Sequence, residues 1–153
     1  MIEYRLAGPD DVPALARMRW DWKLEENPHA DLTLEEFLRE CEAFLRRGIE
    51  AGDWAHWIAT EDGALLSNAS VFRVPKIPHP RRKSKWLGYV TNVCTVPDRR
   101  RQGIGASLMA HLVEWAKAGE CDTLILWPSL GSVPFYERAG FRNDNDILEH
   151  TLE

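Results

Sequence analysis

The feature that most constrains this chain is a strand-to-helix junction past its midpoint. Thr91-Asn92-Val93-Cys94-Thr95-Val96 is rich in β-branched residues, Pro97 ends the run, Asp98 to Gln102 form a polar and basic turn, and Gly103-Ile104-Gly105 opens a helix pattern. Pro cannot donate to a sheet ladder, so the order reads strand, loop, helix. Downstream, Thr123-Leu124-Ile125-Leu126-Trp127 is nearly all apolar, as a strand buried on both faces would be. A strand at 88–96, a helix at 103–118 closed by Gly119 and a strand at 123–127 make a βαβ crossover. Such crossovers are right-handed, so the two strands are expected to be parallel.

The same junction is suited to an anion. The first amides of a helix have no internal partner and the helix dipole is positive there. Gly103 and Gly105 remove the Cβ atoms that would keep a phosphate away, and Arg99, Arg100 and Arg101 add charge beside the seat. The predicted ligand is a diphosphate. A P-loop needs Lys-Ser/Thr after its second Gly, where Ile104-Gly105-Ala106 follows Gly103 here, and a dinucleotide fingerprint needs a third Gly where Leu108 stands. Both nucleotide readings lose ground.

Arg100-x-x-Gly103-x-Gly105, preceded by Pro97, resembles the acetyl-CoA signature of the GNAT superfamily of N-acetyltransferases. Val133-Pro134-Phe135-Tyr136-Glu137-Arg138-Ala139-Gly140-Phe141 resembles the second hallmark of that family, in the right order and at about the right separation. The resemblance covers roughly residues 88 to 142. It implies an α/β, GNAT-like (acyl-CoA N-acyltransferase) fold: a mixed, mostly antiparallel sheet of six to seven strands, flanking helices, and a splayed parallel pair that admits the pantetheine arm of acetyl-CoA. It also implies that the backbone of Val93, Cys94 and Thr95 pairs with that arm. Arg100, Arg101, Gln102, Gly103, Ile104, Gly105 and Ala106 would hold the pyrophosphate, and Tyr136 would be the general acid that protonates the departing thiolate. Ser129 stands where many members carry Asn and offers a hydroxyl to the pantetheine amides. Where many members carry an acid on the preceding strand, this chain has Thr91 and Asn92, so the base is unassigned among Glu25, Glu26, His56 and a water chain. The implied activity is acetyl transfer to the primary amine of a small molecule. The alternative is a catalytically weak acyl-CoA-binding sensor or regulatory module.

The remaining elements follow from local pattern. Ile2 to Leu6 alternates as a first strand, and Asp10 is a plausible cap for a helix that ends before Asn27-Pro28. Thr33 and Glu36 form a capping box for a second helix with an apolar stripe Leu34, Phe37, Leu38, Cys41, Phe44, Leu45, ending at or after Gly48. Trp54 to Thr60 and Ala64 to Val74 read as a hairpin around Glu61-Asp62-Gly63, followed by a Pro-rich basic loop from Pro75 to Lys85. A short helix from Ser132 to Ala139 and one or two last strands within 141–152 complete the chain.

With 153 residues, a single domain over 1–153 is expected. The start has no apolar signal-peptide core and no apolar run approaches a membrane span of roughly 20 residues, which points to the cytoplasm. Cys41, Cys94 and Cys121 are scattered, in no metal-ligand spacing, and are expected as free thiols; no metal is expected. A net charge of −5 argues against a nucleic-acid or membrane-surface binder. Trp20, Trp22, Trp54, Trp57 and Trp86 fall in or near the segments that would choose the acceptor, and Asp21, Glu25, Glu26 and Asp31 near the first two point to a small cationic amine. The sequence leaves the oligomeric state open, although the family often forms a homodimer through its C-terminal strands.

Overall fold

The computed structural model of the chain describes residues 1–152. One five-stranded sheet, in the order β1-β2-β3-β4-β5, forms its centre. The strands are β1 (Glu3–Leu6), β2 (Trp54–Glu61), β3 (Ala64–Pro75), β4 (Trp86–Thr95) and β5 (Cys121–Ile125); all pairs are antiparallel except β4 with β5. The helices are α1 (Val12–Glu26), α2 (Leu34–Ala51), α3 (Ile104–Ala118) and α4 (Val133–Arg138).

Each face of the sheet buries a different helix group. Ala69, Val71 and Val90 meet Leu108, Met109, Leu112 and Ala116 of α3, the i, i+4 spacing of one helix face. Ile58 on the other face packs with Val12, Leu15 and Ala16 of α1 and Leu45 of α2. The α2 start is the expected capping box, Thr33 Oγ1 accepting from the Glu36 amide at 3.2 Å while Glu36 accepts from the Thr33 amide at 2.8 Å. The β2–β3 turn is made by Asp62 and Gly63, both at positive φ, as a tight hairpin with right-handed twist demands.

Three sequence expectations are corrected. Asp10 does not cap α1: a 3-10 turn at Pro9–Asp11 precedes the helix, Asp11 stands at its N-cap with no side-chain bond to the helix amides, and the Asp11 carboxylate instead accepts from the Gly8 amide at 2.8 Å and from Arg5. The strand read at 123–127 is shifted to Cys121–Ile125 and is not buried on both faces: Asp122 and Thr123 are exposed and Trp127 is 62% exposed. No strand forms within residues 141–152, so the sheet has five strands rather than six to seven. The reason is visible in that segment, where the polar run Arg142 to Asp146 cannot pack and Ile147, Leu148 and Leu152 find nothing to cover them.

The loop after β3 is fastened at its base. Lys76 and Ser84 both donate to Asp122, which holds that carboxyl down at about 2, and the Trp86 indole donates to Gly119 O at 2.6 Å. These contacts fix where β4 starts relative to β5.

Candidate active site

The site begins where β4 leaves its neighbour. On its β5 side, β4 is paired at Trp86, Gly88 and Tyr89, the last opposite Ile125, and the pairing stops there. Residues 90–95 therefore present an unpaired backbone edge to a wedge-shaped gap. On the β3 side, the register moves from Asn68 opposite Cys94 to Ser70 opposite Thr91, so Asn92 and Val93 face Ala69 alone. This is a β-bulge, and it bends β4 away from a flat sheet. Asn92 sits at φ 54, a region Asn tolerates better than most residues.

A polar network holds the bulge from behind. Arg19 on α1 donates to Asn92 Oδ1 at 3.0 Å, and Asn68 donates to Asn92 O at 2.8 Å and to Ser70 Oγ at 3.1 Å. Ser70 Oγ also lies 2.7 Å from His56 Nδ1, where either atom can be the donor, and the other ring nitrogen, Nε2, is buried with no partner among the described residues. His56 is 2% exposed, and burial alone lowers its pKa from 6.5 to about 4. Both folded and unfolded chains carry it neutral above pH 6.5, and between 6.5 and about 4 only the unfolded chain gains the proton. Stability is thus fully present above pH 6.5 and falls across that window by up to roughly 3 kcal/mol. Urea unfolding of the wild type should lose stability more steeply between pH 6.5 and 4 than His56→Gln; equal slopes would refute this.

The turn after β4 holds the residues that the sequence reads as an anion seat. A 3-10 turn at Pro97–Arg99 leads to Arg101 at φ 61 and Gly103 at φ 80, and α3 begins with no side chain capping its first amides. A Cβ on Gly103 would meet nothing within 4 Å. Gly105 is tighter: a Cβ there would lie 3.5 Å from the Phe135 ring and from Thr95 Oγ1, which shows how closely α3 passes both α4 and the end of β4.

The three arginines divide. Arg99 donates to Glu61 at 2.7 Å, and Arg100 grips Glu25 of α1 with two bonds of 2.6 and 2.9 Å while its Nε donates to Thr95 O. Arg101 is exposed beside the seat. The guanidinium of Arg100 therefore ties α1 to the turn, and Gln102 is exposed and bonds within the turn to Asp98 O and to Arg99.

Tyr136 completes the gap. It lies half-buried on α4 with its ring edge-on to Phe135 and Phe141, at 5.0 and 5.7 Å between centroids. Burial raises the phenol above its usual value, and the nearby Cys94 thiol, itself pushed up to about 12 by burial, adds to the rise. Tyr136 is thus fully protonated near neutral pH. Ser129 sits in the turn before α4, where its carbonyl accepts from the Ser132 amide at 3.0 Å and its hydroxyl side is exposed. The unpaired edge of Val93, Cys94 and Thr95, the start of α3 and Tyr136 are brought together by the fold.

The acids read near Trp20 and Trp22 do not form a cation pocket. Asp21 pairs with Arg17, Glu25 with Arg100, Glu26 with Lys23 and Asp31 with His29, each on an exposed face. Arg100 holds Glu25 below the usual carboxylate range, which makes it a weaker base. The tryptophans mostly pack: Trp20 on Phe37, Trp54 on Phe72, and Trp57 and Trp86 on Trp115. Arg19, Asn68 and Ser70 were not singled out by sequence reasoning. The signal for them is Asn92, a poor strand former in the middle of a strand, which needs partners.

Two concavities lie on the β5 side of the gap. One of about 580 Å³ is walled by β5, Tyr136 and the segment after Phe141, and one of about 300 Å³ runs between α3 and α4.

A family model described as the acetyltransferase (GNAT) family matches residues 13–141. The chain belongs to the GNAT acetyltransferase family. This GNAT chain is 34% identical over 80 residues to the glucosamine 6-phosphate N-acetyltransferase of Trypanosoma brucei brucei, a match covering 52% of each chain, so it spans about half the length of that curated relative. Among solved structures, it is similar to one described as a predicted acetyltransferase with acetyl-CoA from Clostridium acetobutylicum, at 25% identity and a TM-score of 0.81, covering 99% of this chain and 97% of the other. The GCN5-related N-acetyltransferase of Ralstonia eutropha JMP134 shares the fold at 23% identity and a TM-score of 0.77, over all of both chains.

Proposed function

We propose that this GNAT chain is an N-acetyltransferase that moves the acetyl group of acetyl-CoA directly to the primary amine of a small molecule. The observation that carries the reading is the end of β4–β5 pairing at Tyr89 and Ile125, beside which the open start of α3 and Tyr136 both lie. The residues fit the co-substrate: an unpaired strand edge suits an amide-bearing arm, and glycine-lined helix amides with Arg101 suit a diphosphate. The family membership and the acetyl-CoA in the Clostridium structure support the same choice.

Acetyl-CoA supplies an activated acyl carbon and a thiolate leaving group. Val93, Cys94 and Thr95 orient the arm through their backbone, and Gly103 to Ala106 anchor its phosphates. The amine nitrogen forms the new C–N bond, the C–S bond breaks with its electron pair on sulfur, and Tyr136 gives its phenolic proton to that sulfur. The proton lost by the amine restores the phenol through solvent, which keeps the balance. A free phenol titrates near 10, not far above a thiol, and burial raises Tyr136 further, so its proton stays in place until the thiolate departs.

The deciding experiment is a thermal-shift titration with acetyl-CoA, CoA and ATP, followed by an amine panel scored for free thiol. A ligand that binds only the folded state raises Tm with concentration. The expected result is a rise with acetyl-CoA and CoA, none with ATP, and thiol release with a subset of amines. No rise with acetyl-CoA would end the reading; a rise with no thiol release from any amine would leave an acyl-CoA-binding module in its place.

A further inference from the structure

We propose that Arg19 is the acceptor anchor of this site, and that the amine this chain takes carries an anionic group, a phosphate or a carboxylate, which Arg19 receives. The inference rests on the acetyltransferase reading and names its substrate class.

The geometry comes first. Arg19 lies half-buried on the inner side of α1, and one of its nitrogens is fixed on Asn92 Oδ1 at 3.0 Å, at the bulge immediately before Val93 and Cys94. Asn92 is itself held on its other side by Asn68, which is 1% exposed. The guanidinium is therefore held beside the bulge, next to the start of the unpaired Val93–Cys94 edge, by half-buried Asn92 and the buried Asn68 behind it.

The charge balance comes second. Three cations surround the Cys94 segment from α1 and the turn: Arg19, Lys23 and Arg100, with Glu25 the acid among them. Arg100 is committed to Glu25 by two bonds, and Lys23 is committed to Glu26 at 3.0 Å, above the Trp22 ring. Among the described residues Arg19 has no carboxylate within 4.0 Å. Asn92 occupies one of its five N–H donors and carries no charge. Arg5 on β1 and Arg17 two residues away on α1 both pair with aspartates, whereas Arg19, the arginine bonded to the bulge, does not. A planar guanidinium with free donors in a partly desolvated place is built for a bidentate anion. The acids that might have selected a cationic acceptor are all engaged elsewhere, as described above.

The test is a pair of binding titrations in the presence of CoA, with transfer measured beside it. O-phosphoethanolamine is compared with ethanolamine, and β-alanine with propylamine, in the wild type, Arg19→Gln and Arg19→Lys; glucosamine 6-phosphate and glucosamine form a third pair. In the wild type the anionic member of at least one pair should bind about ten- to a hundredfold more tightly, the size of a charge-assisted bidentate contact. The phosphate and carboxylate pairs separate the two sources of negative charge. Arg19→Gln should erase the preference and Arg19→Lys should keep part of it, with the acetyl-CoA-dependent rise in Tm retained in both as proof of folding. Equal affinities within every pair in the wild type, or a preference that survives Arg19→Gln, would overturn the proposal. Thiol release is scored separately, so failure of catalysis is distinguishable from failure of anion recognition.

Discussion

Tyr136→Phe is expected to lower kcat by about a hundredfold or more while the KM for acetyl-CoA stays nearly constant. The substitution keeps the ring that packs edge-on against Phe135 and Phe141, so α4 and the wall of the gap remain in place. Only the proton donor is lost. Thiolate departure would then depend on water, which is less well placed inside a gap lined by Cys94 and α4. Steady-state kinetics with saturating amine reads the effect directly. An acetyl thioester of a more acidic thiol, which leaves without help, should recover much of the rate in the variant. A kcat within twofold of the wild type, or no recovery with the better leaving group, would remove Tyr136 from the chemistry.

Gly103→Val is expected to abolish the rise in Tm with acetyl-CoA while leaving the ligand-free protein folded. Gly103 sits at φ 80, where an L-residue costs about 1–2 kcal/mol and a β-branched one more. Because nothing lies within 4 Å of the added Cβ, the cost to the fold ends there. The isopropyl group instead stands at the residue that immediately precedes the first amides of α3, which no side chain caps. Gly105→Ala is the useful contrast: its Cβ makes ordinary contacts of 3.5 Å with Phe135 and Thr95, so a methyl is accommodated while a larger side chain drives α3 from β4. Retention of the full Tm rise in Gly103→Val would show that the diphosphate sits elsewhere.

How much of this was legible in the sequence depends on whether the signal was local. The capping box at Thr33 and Glu36, the Asp62-Gly63 turn and the glycine-marked start of α3 are set by contacts within a few residues, and each appears where the pattern put it. The wedge between β4 and β5 is not local. It depends on a bulge at Asn92, on where Trp86 docks against Gly119, and on how far Ile125 reaches along Tyr89. The roles of the arginines failed to show for the same reason. Three adjacent basic residues look alike in sequence, yet Arg99 and Arg100 are claimed by Glu61 and Glu25, which lie 38 and 75 positions away. Arg19 looked like an ordinary helix residue because its partner, Asn92, is 73 positions distant. The last strands were read from the local pattern of 141–152, but the polar run 142–146 is exposed and the apolar residues after it have nothing to cover them, so that segment pairs with no strand of the sheet.

The outer edge of β5 bears on solubility and self-association. With nothing paired along it among the described residues, its amides and carbonyls form a template on which another extended chain can add. The fold limits that hazard in ways that edge strands commonly use. β5 is only five residues long, and an ionised Asp122, kept charged by Lys76 and Ser84, stands in the middle of its exposed stretch. Removing that charge would therefore cost more than a loop contact: it would leave a bare hydrogen-bonding rail beside the exposed Trp127 and Leu130, and shift the balance from dispersed chains toward aggregates.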